Sequence, residues 1–168
     1  MLKFLRVPAV NLEISPAGTA RHFLTYMRWS EIYLIYAEAA NEAWGPDADP
    51  KGYGFTPRMI IKAIRERAGI TPTTDLYLAS LTTKEQMRGM IRNERRLELC
   101  FEGFRFWDLR RWNANLTQTA KGVSVNSAGT VYTPIDVETR AYPAYGTYMP
   151  IPQTEILKYG GLLQNQGW

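Results

Sequence analysis

Glu94 and Glu98 stand four residues apart, a spacing that puts both on one face of a helix. Projected as a helix at about 100° per residue, Lys84–Phe104 puts Met87, Met90, Ile91, Leu97, Phe101 and Phe104 on one stripe, with both carboxylates in its middle. A buried charge without a partner is costly, so the pair needs a chemical reason. Three are available. The two carboxyls could work as a general acid and base, as glycoside hydrolysis requires. They could ligate metal inside a helical bundle, but that pattern places a histidine one turn from its glutamates, and the only histidine, His22, is remote. Or arginines from neighbouring helices could neutralise them, with Arg67 as the nearest candidate because it projects beside the Ile60/Ile64 face of its own helix. The expected role is structural charge pairing, involving Arg67, Glu94 and Glu98, with a local pair between Asp108 and Arg105 or Arg111.

Arg88, Arg92 and Arg95 line one flank of the same segment, and Arg105 and Arg110 would extend the line if the helix ran straight past Gly103. Beside Phe106, Trp107 and Trp112, that line could serve as a basic and aromatic stripe for nucleic acid. The balance of 20 lysines and arginines against 16 acidic residues leaves only +4, and Glu31, Glu38 and Glu42 offer the arginines an acidic strip to pair with. No nucleic-acid partner is expected. Five tryptophans and ten tyrosines raise the possibility of stacking on sugar rings. Trp29, Tyr33 and Tyr36 are assigned to the core by helical phase, and Trp107 and Trp112 by their place beside arginines. The loop aromatics Trp44, Tyr53, Phe55, Tyr77, Tyr142 and Tyr145 remain as candidate glycan platforms. Cys100 reads as a small hydrophobe within a helix. No nucleophile elbow, phosphate loop, dinucleotide fingerprint or metalloprotease helix is present.

These side chains need elements to hold them. Trp29, Ile32, Tyr33, Tyr36, Ala40 and Ala43 recur at helical spacing and predict a helix over Tyr26–Trp44, ended by Gly45-Pro46. Thr56-Pro57 is an N-cap followed by proline at the first helical position, so a second helix is expected over Pro57–Ala68. The two suggest an antiparallel helical hairpin. Thr82 and Thr83 face Glu85 and Gln86 in capping-box register and open a third helix over Lys84–Glu102, with a short amphipathic piece over Phe104–Trp112. Lys121–Val125 and Thr130–Thr133 read as a β-hairpin around Asn126–Gly129. The end is expected to be a proline-locked extended segment, a turn near Gln153–Ile156 and a polar tail. Short extended pieces are expected near Phe4–Val7 and Leu12–Ile14. No stretch is apolar for long enough to span a bilayer.

Four blocks, YMRWSEIYLIYAEAANEAWG, AIRERAGI, IRNERRLELCFEGFRFWDLRRW, and YMPIPQTEI with the terminal LLQNQGW, occur in the order and spacing of the C-terminal part of SusD/RagB-family proteins. The chain resembles that family over roughly residues 25 to 168. The resemblance implies a mainly α fold of tetratricopeptide-like helix pairs, with an irregular C-terminal region carrying the short hairpin, all in a single domain. It implies a scaffold over about 25–112 and a hairpin and extended tail over about 113–168. It further implies a non-catalytic surface lipoprotein of an outer membrane that binds oligosaccharides or other nutrients beside a SusC-like TonB-dependent transporter. A tetratricopeptide-like protein-interaction domain with no ligand of its own is the alternative, and a carbohydrate-active enzyme fragment using Glu94 and Glu98 is a third. Only the family's end is matched. The signal peptide, lipobox cysteine and N-terminal half are not found, and Cys100 does not replace the lipidated cysteine. Leu34 and Ile35 beside the acidic strip make the first helix apolar on more than one side, so the chain alone is expected to expose an apolar patch, to pair with another chain, or to need the unmatched segment for stability.

Overall fold

The computed structural model describes residues 26–71 and 73–168; the extended pieces expected at residues 4–7 and 12–14, and His22, lie outside them. The described residues group into two compact units, one ending at Glu98 and the other running over Leu99–Trp168. Each has its own logic.

In the first unit, α1 (Trp29–Trp44) packs against both α2 (Pro57–Arg67) and α4 (Lys84–Glu98), and the short α3 (Leu76–Ser80) lies between the latter two in sequence. Their ends are set by local chemistry. Thr56 Oγ1 accepts from the Met59 amide at 3.2 Å with Pro57 at the first helical position, which satisfies an otherwise orphaned donor. Gln86 Oε1 takes the Thr82 and Thr83 amides at 2.9 and 3.1 Å, while Thr83 Oγ1 accepts from the Gln86 amide at 3.2 Å, a closed capping box. Asp75 caps α3 through the Leu78 amide, an element absent from the expectations because five residues carry too little periodicity.

Both neighbours run antiparallel to α1. Ser30 at its start meets Arg67 at the end of α2, and Tyr36 meets the Phe55 carbonyl just before α2 begins. On the other side Asn41 Nδ2 donates to the Lys84 carbonyl at 3.0 Å, and Arg28 reaches Glu98 at 2.5 Å. The core between them is Leu34, Ala37, Ala40, Ile60, Ile61, Ile64, Leu78, Leu81, Met87, Met90 and Ile91.

The buried stripe of α1 is Ser30, Glu31, Leu34, Ala37, Ala40 and Asn41, which corrects the assigned phase: Trp29, Ile32 and Tyr33 are exposed. Small residues let α2 and α4 approach, and polar ends on the buried stripe bond to them, so side-chain bulk misled the periodicity. Glu31, expected on an acidic strip that pairs with arginines, is buried, and Glu42 of the same strip pairs with Arg88. The third helix also ends earlier than expected. Phe101 adopts φ of 65° and Gly103 of 82°, left-handed conformations that cannot continue a right-handed helix. Phe101 is therefore exposed rather than part of the stripe, and Leu97, although inside α4, lies on its outer side. Cys100, placed beyond the helix end, is exposed too.

The second unit holds α5 (Phe104–Arg111), a two-stranded antiparallel hairpin of β1 (Ala120–Val125) and β2 (Tyr132–Glu138), a 3₁₀ turn over Ala144–Thr147 and α6 (Gln153–Lys158). Val125 pairs with Tyr132 and Gly122 with Ile135. A Cβ on Gly122 would sit 2.5 Å from a Val137 methyl carbon, so any side chain there would have to push the Val137 side chain aside. The second strand starts later than expected because Asn126 Oδ1 captures the Thr130 and Val131 amides at 2.8 and 2.9 Å, keeping them in the turn. The tail is not loose. Gln164 accepts the Ile151 amide at 2.8 Å and donates to its carbonyl at 2.9 Å, Asn165 Nδ2 donates to the Met149 carbonyl at 2.6 Å, and Trp168 Nε1 donates to the Tyr148 carbonyl at 2.9 Å. Thus the terminal block LLQNQGW acts as a side-chain clamp on YMPIP. Among the described residues no helix is long and apolar enough to cross a membrane.

Replacing Gln164 by alanine removes both bonds to Ile151 and should cost about 1 kcal/mol. Hydrogen exchange at the Ile151 amide should accelerate in that variant, with α1 and α4 amides unchanged.

Candidate functional site

Glu94 and Glu98 are separated by the structure into two different ion networks. Glu94, with its side chain 7% exposed, accepts from Arg65 Nη1 at 2.6 Å, and the same guanidinium grips Asp75 through Nε at 2.6 Å and Nη2 at 2.9 Å. Arg65, not Arg67, is the cation that neutralises Glu94. It was missed because Arg65 and Arg67 flank the same apolar face and only three-dimensional contact distinguishes them. The Arg65 bonds hold the Asp75 carboxyl below its ordinary value against an opposing burial cost, with help from the Leu78 amide. Burial pushes Glu98 up, but bonds from Arg67, Arg28 and Ser30 outweigh it and bring that carboxyl down to about 2. Arg67 meets it at 2.6 Å. A general acid must keep its proton near neutral pH; Glu98 is held ionised. Arg88 grips Glu42 with two 2.5 Å bonds, and Asp108 meets Arg111 at 3.2 Å. Arg105 lies 5.9 Å from the Trp112 ring. Because α4 ends at Glu98, Arg105 and Arg110 belong to a separate helix and do not prolong the arginine flank.

The six aromatic candidates fall in different settings. In the second unit, the Tyr142 hydroxyl accepts from Arg110 and donates to the Gly146 carbonyl, and Arg110 lies 3.4 Å from the Phe106 ring centroid. Tyr142 is thereby spent on structure. Tyr145 packs edge-on to Trp168 at 4.9 Å and over Gly167, whose φ of 95° and crowded Cβ position demand glycine. Tyr77 is exposed on α3.

Trp44, at the end of α1, and Tyr53, on the loop that follows, do come together, while Phe55 on the same loop lines the cleft described below. The Tyr53 ring, 57% exposed, is 6.5 Å from Trp44 and 6.4 Å from Tyr36. Asp49 shapes the loop by accepting the Tyr53 and Gly54 amides at 3.0 and 2.7 Å. Arg58 anchors it through a bidentate pair with Asp47 at 2.6 and 2.9 Å and further bonds to the Leu78 and Leu81 carbonyls. Burial, then Asp49 and Tyr53, push the Tyr36 phenol above its ordinary value, so it stays a donor, bonded to the Phe55 carbonyl at 2.9 Å. Rings on a pinned loop beside carboxylates can stack on a sugar face while the polar groups bond its hydroxyls.

A second feature adjoins this loop. Trp29, Tyr33, Phe55, Met59, Ile60, Ala63 and Ile64 line a cleft of about 330 Å³ with Ser30 and Arg67 at one end. Residues assigned to the core by phase thus form the wall of an open cleft.

The chain matches the model of the SusD family over residues 1–168. It belongs to the SusD family. It is 27% identical over 143 residues to SusD-like protein P2 of Formosa agariphila, covering 83% of this chain and 24% of that protein. SusD-like protein P38 of the same organism is 29% identical over 103 residues, covering 61% of this chain and 19% of that one. A solved SusD-like protein from Bacteroides fragilis superposes with a TM-score of 0.68 at 31% identity, over 94% of this chain and 28% of its own. The chain therefore spans about a quarter of the length of P2 and of the solved structure. The mainly helical fold with one antiparallel hairpin agrees with that structure.

Arg65→Met strands Asp75 and Glu94 without their shared cation and should destabilise the first unit by about 3–5 kcal/mol, read as a lowered thermal midpoint. Acid should act in the same region. Glu98 titrates at about 2 folded against its ordinary 4.5, so its stabilisation is complete above that ordinary value and drains away as pH falls toward the folded one. Denaturant melts across this window should show a smaller loss of stability in Glu98→Gln than in the parent chain.

Proposed function

We propose that this chain is part of a non-catalytic nutrient-binding protein of a SusC/SusD-type uptake system, with a glycan as the nutrient. The supporting observation is the family match along the whole chain, joined to an exposed ring cluster on a rigidly anchored loop. Tyr53 and Trp44 stack on pyranose faces, with Phe55 beside them; Tyr77 is a separate, weaker platform. The parent protein is a lipid-anchored lipoprotein facing outward from the outer membrane. Its partner is a SusC-like TonB-dependent transporter, to which it hands oligosaccharide. Neither nucleic acid nor a cofactor takes part, and the ion pairs of Glu94 and Glu98 are structural.

A panel of purified polysaccharides, screened by affinity electrophoresis and calorimetry, tests this reading. One glycan should bind, and Tyr53→Ala or Trp44→Ala should weaken it by about 1 kcal/mol each without changing the melting temperature. Turnover of any glycan that disappears in Glu94→Gln would overthrow the non-catalytic assignment.

A further inference from the structure

Three consecutive backbone amides of the α1–α2 loop converge on one residue. Gly52 donates to the Asp49 carbonyl at 3.2 Å, Tyr53 to Asp49 Oδ1 at 3.0 Å and Gly54 to Asp49 Oδ2 at 2.7 Å. The cation that anchors the loop, Arg58, is engaged by Asp47 instead, so the Asp49 carboxylate serves the Tyr53 and Gly54 amides. Tyr53 needs such a hold. Gly52 and Gly54 on either side of it have φ of 69° and 81°, and glycine resists rotation between wells less than any other residue. The Tyr53 ring stands mostly in solvent and meets its neighbours obliquely, its plane inclined by 50° to Trp44 and by 67° to Tyr36. Neither ring encloses it.

We propose that, granted the glycan reading of the ring site, Asp49 is its positioning residue: it fixes Tyr53 for stacking on a sugar and does not itself contact the sugar. A stacking ring gains from a sugar face only what remains after its own freedom is lost. With the Tyr53 and Gly54 amides tied to Asp49, that loss is taken when the loop folds, and the ring meets the sugar already ordered. Trp44 requires no such device, because it is the last residue of α1 and the Gly45 amide after it donates to the Asn41 carbonyl. Tyr53 is therefore the ring whose order has to be built. A carboxylate suits the task, since its two oxygens accept the two amides separately. An asparagine in its place keeps one acceptor and turns an NH2 toward the other amide.

The test joins a measurement without sugar to one with it, both on the full chain. In backbone amide relaxation by NMR, Asp49→Ala should lower the order parameters of Tyr53 and Gly54 to those of a flexible loop, with the amides of α1 and α2 unchanged. Asp49→Asn should fall between the two. In calorimetry the polysaccharide that binds in the panel should bind Asp49→Ala about fivefold more weakly, by no more than Tyr53→Ala itself and at an unchanged thermal midpoint. In a Tyr53→Ala background the same substitution should leave the affinity as it is, because no ring remains to be positioned. The role of Asp49 is overturned if the order parameters match the parent chain, or if Asp49→Ala leaves the affinity unchanged. It is overturned equally if Asp49→Ala costs the same affinity with and without the Tyr53 ring, since the carboxylate would then bond the sugar directly. A panel in which no polysaccharide binds overturns the glycan reading and this role together, whereas the other outcomes overturn the role alone.

Discussion

Arg65 holds two carboxylates, Asp75 and Glu94, in a region where all three side chains are at least 86% removed from solvent. Three elements meet there: Arg65 belongs to α2, Asp75 caps α3, and Glu94 sits on the buried face of α4. A guanidinium has five donors in a fixed fork, and three of them are taken by these two acids. The geometry that satisfies them leaves little freedom in how α2 and α4 lie against each other, and it pins α3 in the same step. Hydrophobic contact alone is non-directional; the ion network supplies the direction.

From that fixed point the remaining polar contacts of the first unit work as end stops. Asn41 and Glu42 tie the end of α1 to Lys84 and Arg88, and Arg28 ties its beginning to Glu98. Arg58 anchors the α1–α2 loop to the α3 region. Because the helices are held at both ends, the strip facing α2 and α4 can be built from alanines and one leucine. The bulky aromatics of α1 are released to the other side, where they form the cleft and reach toward the loop rings.

Much of the fold was legible in local patterns. The Thr56-Pro57 start, the capping box at Thr83 and Gln86, and the antiparallel helix pair follow from short-range chemistry, and the structure contains each. What the pattern could not reveal was which side of α1 is inside. Tryptophan and tyrosine carry more apolar area than alanine, so a count of bulk places Trp29 and Tyr33 in the core. Burial there instead follows how closely two helices can approach, a property of their pairing rather than of one segment. The same limit explains Arg65. Two arginines two positions apart both border the α2 core face, and only the placement of Glu94 and Asp75 decides between them. The early end of α4 rests on left-handed turns at Phe101 and Gly103, of which only the glycine carries a recognisable signal.

The residues that identify the family and those that face solvent are therefore different sets. Glu94, Glu98 and Arg95 from the most diagnostic block are turned inward or engaged in ion pairs, and the terminal block spends Gln164, Asn165 and Trp168 on the chain's own carbonyls. A scaffold constrained in this way tolerates little change without losing its geometry. The loop between α1 and α2 is held instead by Asp47, Asp49, the Tyr36 bond, the Thr56 cap and three left-handed glycines, none of them part of the Arg65 or Glu98 networks. Variation there leaves the ion networks intact, so Trp44, Tyr53 and Phe55 can change while the frame that presents them stays the same.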